Sequence, residues 1–163
     1  MTIRTLWALL FLAAPTVAAA QEQPRVSAQW AVMKANVATI RNVPEKERWT
    51  ANVELWQLHL AQTGRMAAKD HEQMSKLLDM IRYNVSRIRN APEKARWTAN
   101  IQLWTVLIDD EGVLSRASLT KLTPVLDTLK ANVAQITFAE ERERWDANRE
   151  LWQSVLARSA AAF

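Results

Sequence analysis

Residues 84–104 read NVSRIRNAPEKARWTANIQLW; the same phrase stands 48 positions earlier, at 36–56, as NVATIRNVPEKERWTANVELW, and 48 later, at 132–152, as NVAQITFAEERERWDANRELW. Ten positions are identical in all three copies: Asn36, Arg48, Trp49, Asn52 and Trp56 with their counterparts, and Val37, Ile40, Glu45, Ala51 and Leu55 with theirs. A period kept without insertion over three copies marks one supersecondary unit whose apolar face is buried only by its neighbours. The linkers keep the period too, since Gly64 and Gly112 are 48 apart. The length and motif differ from those of tetratricopeptide, ankyrin, HEAT and armadillo repeats.

Each copy reads as two helices. Trp30, Met33, Val37 and Ile40 recur at helical spacing, and so do Trp49, Asn52, Trp56 and Leu60. Between them lies Arg41-Asn42-Val43-Pro44, repeated as Arg89-Asn90-Ala91-Pro92. Asparagine tolerates the conformation that closes a helix, proline pushes the residue before it to extended geometry, and proline suits the first turn of the next helix. The third copy has Phe138-Ala139-Glu140 there, so its turn is expected to be looser or its helices to run on. Asp70-His71-Glu72-Gln73 has the form of a capping box, and Thr123-Pro124 the form of a cap and first residue. The expectation is an all-α chain of six helices, about 15–20 residues each. The repeats fall at about 22–64, 70–112 and 118–160, forming a short solenoid or a closed helical bundle within a single domain, residues 21–163.

Composition narrows the function classes. The 163 residues contain no cysteine, two glycines and five prolines, which excludes disulfides, thiolate metal sites and a Gly-rich phosphate loop. With 21 basic and 17 acidic residues the charge surplus is small, and a nucleic-acid partner is not expected. Residues 1–20 carry Arg4, an apolar run from Leu6 to Ala14, and Val17-Ala18-Ala19-Ala20 before Gln21. That is the layout of a cleaved export signal, so a periplasmic or secreted protein without an integral membrane span is expected.

The repeated polar residues are the candidate site. If each hairpin reverses near its turn, Asn36 comes level with Asn52, Asn84 with Asn100, and Asn132 with Asn148. A buried amide without a partner costs about 1–3 kcal/mol, so reciprocal pairing inside each hairpin is the expected role. The alternative is a Trp/Asn-lined groove for a small polar ligand. Trp49, Trp56, Trp97, Trp104, Trp145 and Trp152 are read as core, with the Asn amides as acceptors for their indole N–H groups. Arg48, Arg96 and Arg144 lie three residues after Glu45, Glu93 and Glu141, close enough to pair along one helix, or to stack on tryptophan or bond a neighbouring helix end.

Catalytic patterns are lacking: no histidine recurs between copies, and His59 reads as a satisfied interfacial side chain. His71 and Met74, with Met66 nearby, have soft-donor spacing suited to Cu(I) or Ag(I), though Met74 also fits a core position. Asp109-Asp110-Glu111-Gly112 reads as an acidic helix end. A non-enzymatic module without a cofactor, binding a protein or peptide in the bacterial envelope, is the expected function. A small-ligand carrier and a periplasmic Cu/Ag-binding protein are the alternatives.

Overall fold

The computed structural model describes residues 17–163, with side chains from residue 24 onward; of the expected export segment 1–20, residues 1–16 lie outside the described residues. The helices are α1 (Val17–Ala38), α2 (Val43–Leu60), α3 (Ala68–Ser86), α4 (Ala91–Asp109), α5 (Arg116–Val133) and α6 (Ala139–Ala161). No strand occurs among the described residues.

The array closes into a bundle. Three inner helices, α2, α4 and α6, run parallel around a pseudo-three-fold axis, and α1, α3 and α5 lie outside in the three seams. Thus α1 packs on α6 and α2, α3 on α2 and α4, and α5 on α4 and α6. Each outer helix packs more extensively on the inner helix preceding it around the ring than on its own hairpin partner. The copies therefore interlock, and the hairpin defined by sequence is not the packing unit. Closure between α1 and α6 is fixed at its rim by Arg25 and Gln29, which both donate to Glu150, and by Asn36, which donates to Glu143.

This layout explains the two kinds of helix pattern. The outer helices bury one stripe, such as Met74, Leu77, Leu78, Ile81 and Val85 on α3. An inner helix meets both the axis and two outer helices, so α2 buries Trp49, Ala51, Asn52, Val53, Leu55 and Trp56, most of its circumference.

Two of the three turns follow the sequence reading. Asn42 and Asn90 are N-caps whose side chains accept from the backbone N–H of Glu45 (2.9 Å) and Glu93 (2.8 Å), with proline in the first turn. In the third turn Phe138 is the N-cap residue and makes no side-chain cap bond. The helices do not run on. Instead the Arg142 guanidinium reaches back to the Ile136 carbonyl.

Two expected helix starts are corrected. α3 begins at Ala68, where the Ala67 carbonyl accepts from Asp70 and His71, so Asp70 lies in the first turn and does not cap. α5 begins at Arg116, capped by Ser115, whose hydroxyl accepts from the Ser118 N–H while its own N–H is held by Asp110. Pro124 is consequently inside α5. It is tolerated because it faces solvent, where water serves the Thr120 carbonyl that proline leaves without an N–H. Gly112, at φ +82°, ends the α4 turn as its linker position suggested.

The uncapped third turn has a direct consequence. Phe138→Asn places at a 75% exposed position the cap that the other two copies use, and is expected to raise stability by about 0.5–1 kcal/mol in urea unfolding.

Candidate functional site

Trp49, Asn52, Trp56 and His59 follow one another at intervals of three, four and three residues, which places them on one face of α2. The counterparts are Trp97, Asn100, Trp104 and Leu107 on α4, and Trp145, Asn148, Trp152 and Val155 on α6. Because the three helices are parallel, equal positions meet in layers along the axis.

The layer nearest the N-termini is a ring of ion pairs. Arg48 bonds Glu93 at 2.6 Å, Arg96 bonds Glu141 at 2.6 Å, and Arg144 bonds Glu45 at 2.9 Å. The expected pairing of Glu45 with Arg48 along one helix is thereby corrected. Each arginine takes the acid of the next copy, which lies in that helix's first turn, where the positive end of the macrodipole also favours a carboxylate. The guanidiniums lie over Trp97, Trp145 and Trp49 at 5.8, 5.9 and 5.8 Å. The three Nε atoms are buried without a hydrogen-bond partner, and the indole faces are the compensating contacts.

Two tryptophan layers follow, separated by an asparagine layer. Trp49, Trp97 and Trp145 meet edge to face with centroids 4.7–5.0 Å apart, and Trp56, Trp104 and Trp152 do so at 4.6–4.7 Å. The Asn amides form a closed ring: Asn52 donates to Asn148 at 2.9 Å, Asn148 to Asn100 at 3.0 Å, and Asn100 to Asn52 at 2.9 Å. Each amide oxygen also accepts an indole N–H, from Trp104 on Asn52, Trp152 on Asn100 and Trp56 on Asn148, at 2.8–2.9 Å. An indole N–H only donates, so these bonds fix which way every amide points.

The expected pairs within hairpins are thus corrected. Asn36 and Asn84 instead donate to Glu143 and Glu47, and Asn132 to the Thr128 carbonyl of its own helix. The inner asparagines face the axis and the outer ones do not, so equal height in a hairpin does not bring them together. The Trp/Asn groove of the carrier reading has no open wall, because all six tryptophans are at most 1% exposed and the three inner asparagines are sealed. Indole bonding to Asn amides agrees with the sequence reading.

His59 breaks the symmetry of the last layer, standing where the other copies have Leu107 and Val155. Its imidazole packs by the edges of Trp56 and Trp104 and its Nδ1 lies 3.3 Å from the Gln62 amide oxygen. Burial pushes its pKa down to about 4; the Gln62 bond opposes the shift and the charge of Arg158 adds to it. Beyond it, a crevice of about 480 Å³ opens at the C-terminal end of the axis, lined by His59, Gln62, Gly64, Gly112, Arg158 and Ser159 among others. No cluster of three or more His, Cys, Asp or Glu able to hold a metal occurs among the described residues. His71 is partly buried, whereas Met74 is sealed in the core with its sulfur accepting from Gln62 at 3.8 Å.

A second hollow was not foreseen. Between α1 and α2 lie two depressions of about 280 and 380 Å³ that share Gln57 as a wall. The first is lined by Val26, Trp30 and Leu60, the second by Val37, Val53, Lys34, Lys46 and Glu54. The signal available in the sequence was Trp30, a tryptophan outside the two repeat positions, where the other copies have leucine.

No protein-family model matches the chain, and neither a curated protein nor a solved structure shows significant similarity to it.

Two outcomes test this axis. Asn100→Leu strands the Asn148 amide and the Trp152 indole N–H and is expected to cost about 2–4 kcal/mol, whereas Asn84→Leu removes a single 3.4 Å bond and should cost below about 1 kcal/mol. The two changes share no partner and should add in a double-mutant cycle. Because the His59 pKa is lower folded than unfolded, the unfolded chain binds more protons between pH 6.5 and 4. Its contribution is complete above pH 6.5 and is lost as the pH falls to 4, on the order of 3 kcal/mol. Urea unfolding of His59→Leu should show a correspondingly smaller loss over that window.

Proposed function

We propose that the protein is an exported, non-enzymatic interaction module that takes an amphipathic helix of a partner protein into the α1–α2 seam. The observation that carries this reading is the failure of the pseudo-three-fold symmetry at that seam. In the second copy Leu78 is buried at the place of Trp30, and Arg82 reaches from α3 to the Thr105 hydroxyl of α4 at 2.8 Å across the seam. In the third copy Leu126 is buried at the same place. In the first copy Trp30 is only partly buried and crosses the seam with a 3.4 Å indole bond to the Val53 carbonyl, Lys34 lies over its ring at 4.8 Å, and hollows floored by apolar side chains stay open beside it.

The hollow has the shape and chemistry of a helix groove. From Val26 to Ala38 it follows about 18 Å of α1, three turns at 1.5 Å per residue. Anchors at one-turn spacing on a bound helix would meet Val26 and Trp30 at one end, and Val37 and Val53 at the other. Lys34 and Lys46 outnumber Glu54 beside the second lobe, favouring acidic residues on the flank of the incoming helix. The repeated Arg, Trp and inner Asn residues satisfy one another along the axis, which supports a scaffold role for them.

The export half of the reading is tested by the intact mass of the protein from its native host, expected to begin at Gln21. The binding half is tested with a photo-cross-linking residue at position 57 in that host. One envelope protein should form the adduct, and the adduct should vanish in Lys34→Glu/Lys46→Glu at unchanged thermal stability. An adduct equally strong from position 76 on the outer face of α3, or indifferent to the charge reversal, overturns the groove.

A further inference from the structure

The copies are internal controls for one another, and their departures from the repeat converge on one place. His59 stands where the other copies have Leu107 and Val155, Met66 where the second linker has Leu114, and Met74 where the other outer helices have Val26 and Leu122. All five aliphatic counterparts are buried and serve as plain core. Packing alone therefore does not call for an imidazole and two thioethers at these positions.

Two of these side chains contact the amide of Gln62, and the third, Met66, lies with it against Gly112. His59 Nδ1 lies 3.3 Å from its oxygen and the Met74 sulfur 3.8 Å from its nitrogen. Gly112 supplies the remaining wall: a Cβ there would stand 2.6 Å from the Gln62 oxygen and 3.7 Å from the Met66 methyl, so amide and thioether both lie against the bare Cα. Met74 is fully buried and Met66 is 6% exposed, while His59 and Gln62 also line the crevice at the end of the axis. One neutral amide thus sits between an imidazole and a thioether, with a second thioether side chain against the same glycine, at the wall of an opening to solvent.

We propose that this is a binding site for a soft monovalent cation of the Cu(I) or Ag(I) class, held by His59 Nδ1 and the sulfurs of Met66 and Met74 after the Gln62 side chain swings out into the crevice. Imidazole and thioether ligands select such ions over hard divalent cations. The C-terminal ends of the inner helices gather at this end of the bundle, and their partial negative charge favours a cation, opposing the charge of Arg158 at the crevice wall. The crevice supplies the entry path and room for the displaced amide. The site differs from the His71 and Met74 pairing that sequence spacing suggests: Met74 is shared, but its sulfur faces Gln62 of the α2–α3 linker. It is also independent of the α1–α2 groove.

The test is Cu(I) binding by the full chain under anaerobic, reducing conditions, in competition with bicinchoninate, with Ag(I) as a redox-inert check. One equivalent should bind with a submicromolar dissociation constant, and X-ray absorption should show sulfur scatterers. Met66→Leu and Met74→Leu install the leucines that the second linker and the third outer helix already use, so the fold is kept. Each should weaken binding at least tenfold. His59→Leu should do the same, His71→Ala should leave affinity unchanged, and Gln62→Ala should bind as tightly or more so. Absence of stoichiometric binding, affinity that depends on His71, or affinity indifferent to the Met66→Leu/Met74→Leu double change overturns the proposal. Loss of binding in Gln62→Ala would likewise overturn it, by making the amide a ligand.

Discussion

Three amides joined in a ring, each oxygen also taking an indole N–H, set the terms for the rest of the bundle. Asn52, Asn100 and Asn148 donate around the axis in one direction, and Trp56, Trp104 and Trp152 complete their acceptors. A ring of this kind forms only if the three helices are parallel and at equal height, since a slip by one turn would leave buried donors facing hydrocarbon. Leucine at all three positions would fill the volume and leave the indole N–H groups without acceptors. Aspartate would gather three carboxylates in a sealed layer. The large rings above and below hold the inner helices apart, so that their backbones pack on the outer helices and not closely on one another. The wide axis in turn leaves broad outer seams, each deep enough to receive a full outer helix.

The same geometry explains why pairs that look local are not. Glu45 and Arg48 share a helix, yet the guanidinium of Arg48 finds Glu93, because the parallel arrangement carries each first-turn acid to the neighbouring helix's arginine. Ion pairs of this kind, with the arginine nearly buried and stacked on an indole, link every copy to the next and close on themselves through Arg144 and Glu45. The ring has no end of its own; only the chain does.

Much of the architecture was legible in the sequence because it rests on local chemistry. Asn-x-Pro before Glu45 and Glu93 specifies a tight turn and a capped helix, and tryptophan at two fixed repeat positions specifies core. What the period could not supply was the direction in which each polar face points. Height arithmetic placed Asn36 level with Asn52 but was blind to rotation about the helix axis, and only the Trp49-Asn52-Trp56 spacing carries that information. Helix starts failed where weak caps compete: Ser115 opens α5 through its own hydroxyl, and the solvent-facing Pro124 is accommodated downstream. The groove and the donor cluster at Gln62 were hidden for a different reason. They arise where one copy departs from the others, and the effect of a departure depends on residues brought together from α2, the linkers and α3.

The packing of α1 on α6 gives the chain an order of events during synthesis and folding. Pairings of α2 with α3, α3 with α4 and α4 with α5 join neighbours in sequence and can form as the polypeptide emerges. The larger interface of α1 waits longest: Arg25 meets Glu150 across 125 residues, and neither tryptophan layer has its third ring until α6 is present. Closing so long a loop is the slow, entropically costly step, and it comes after the local contacts are in place. A nascent chain is thereby kept from locking shut until α6 has been made.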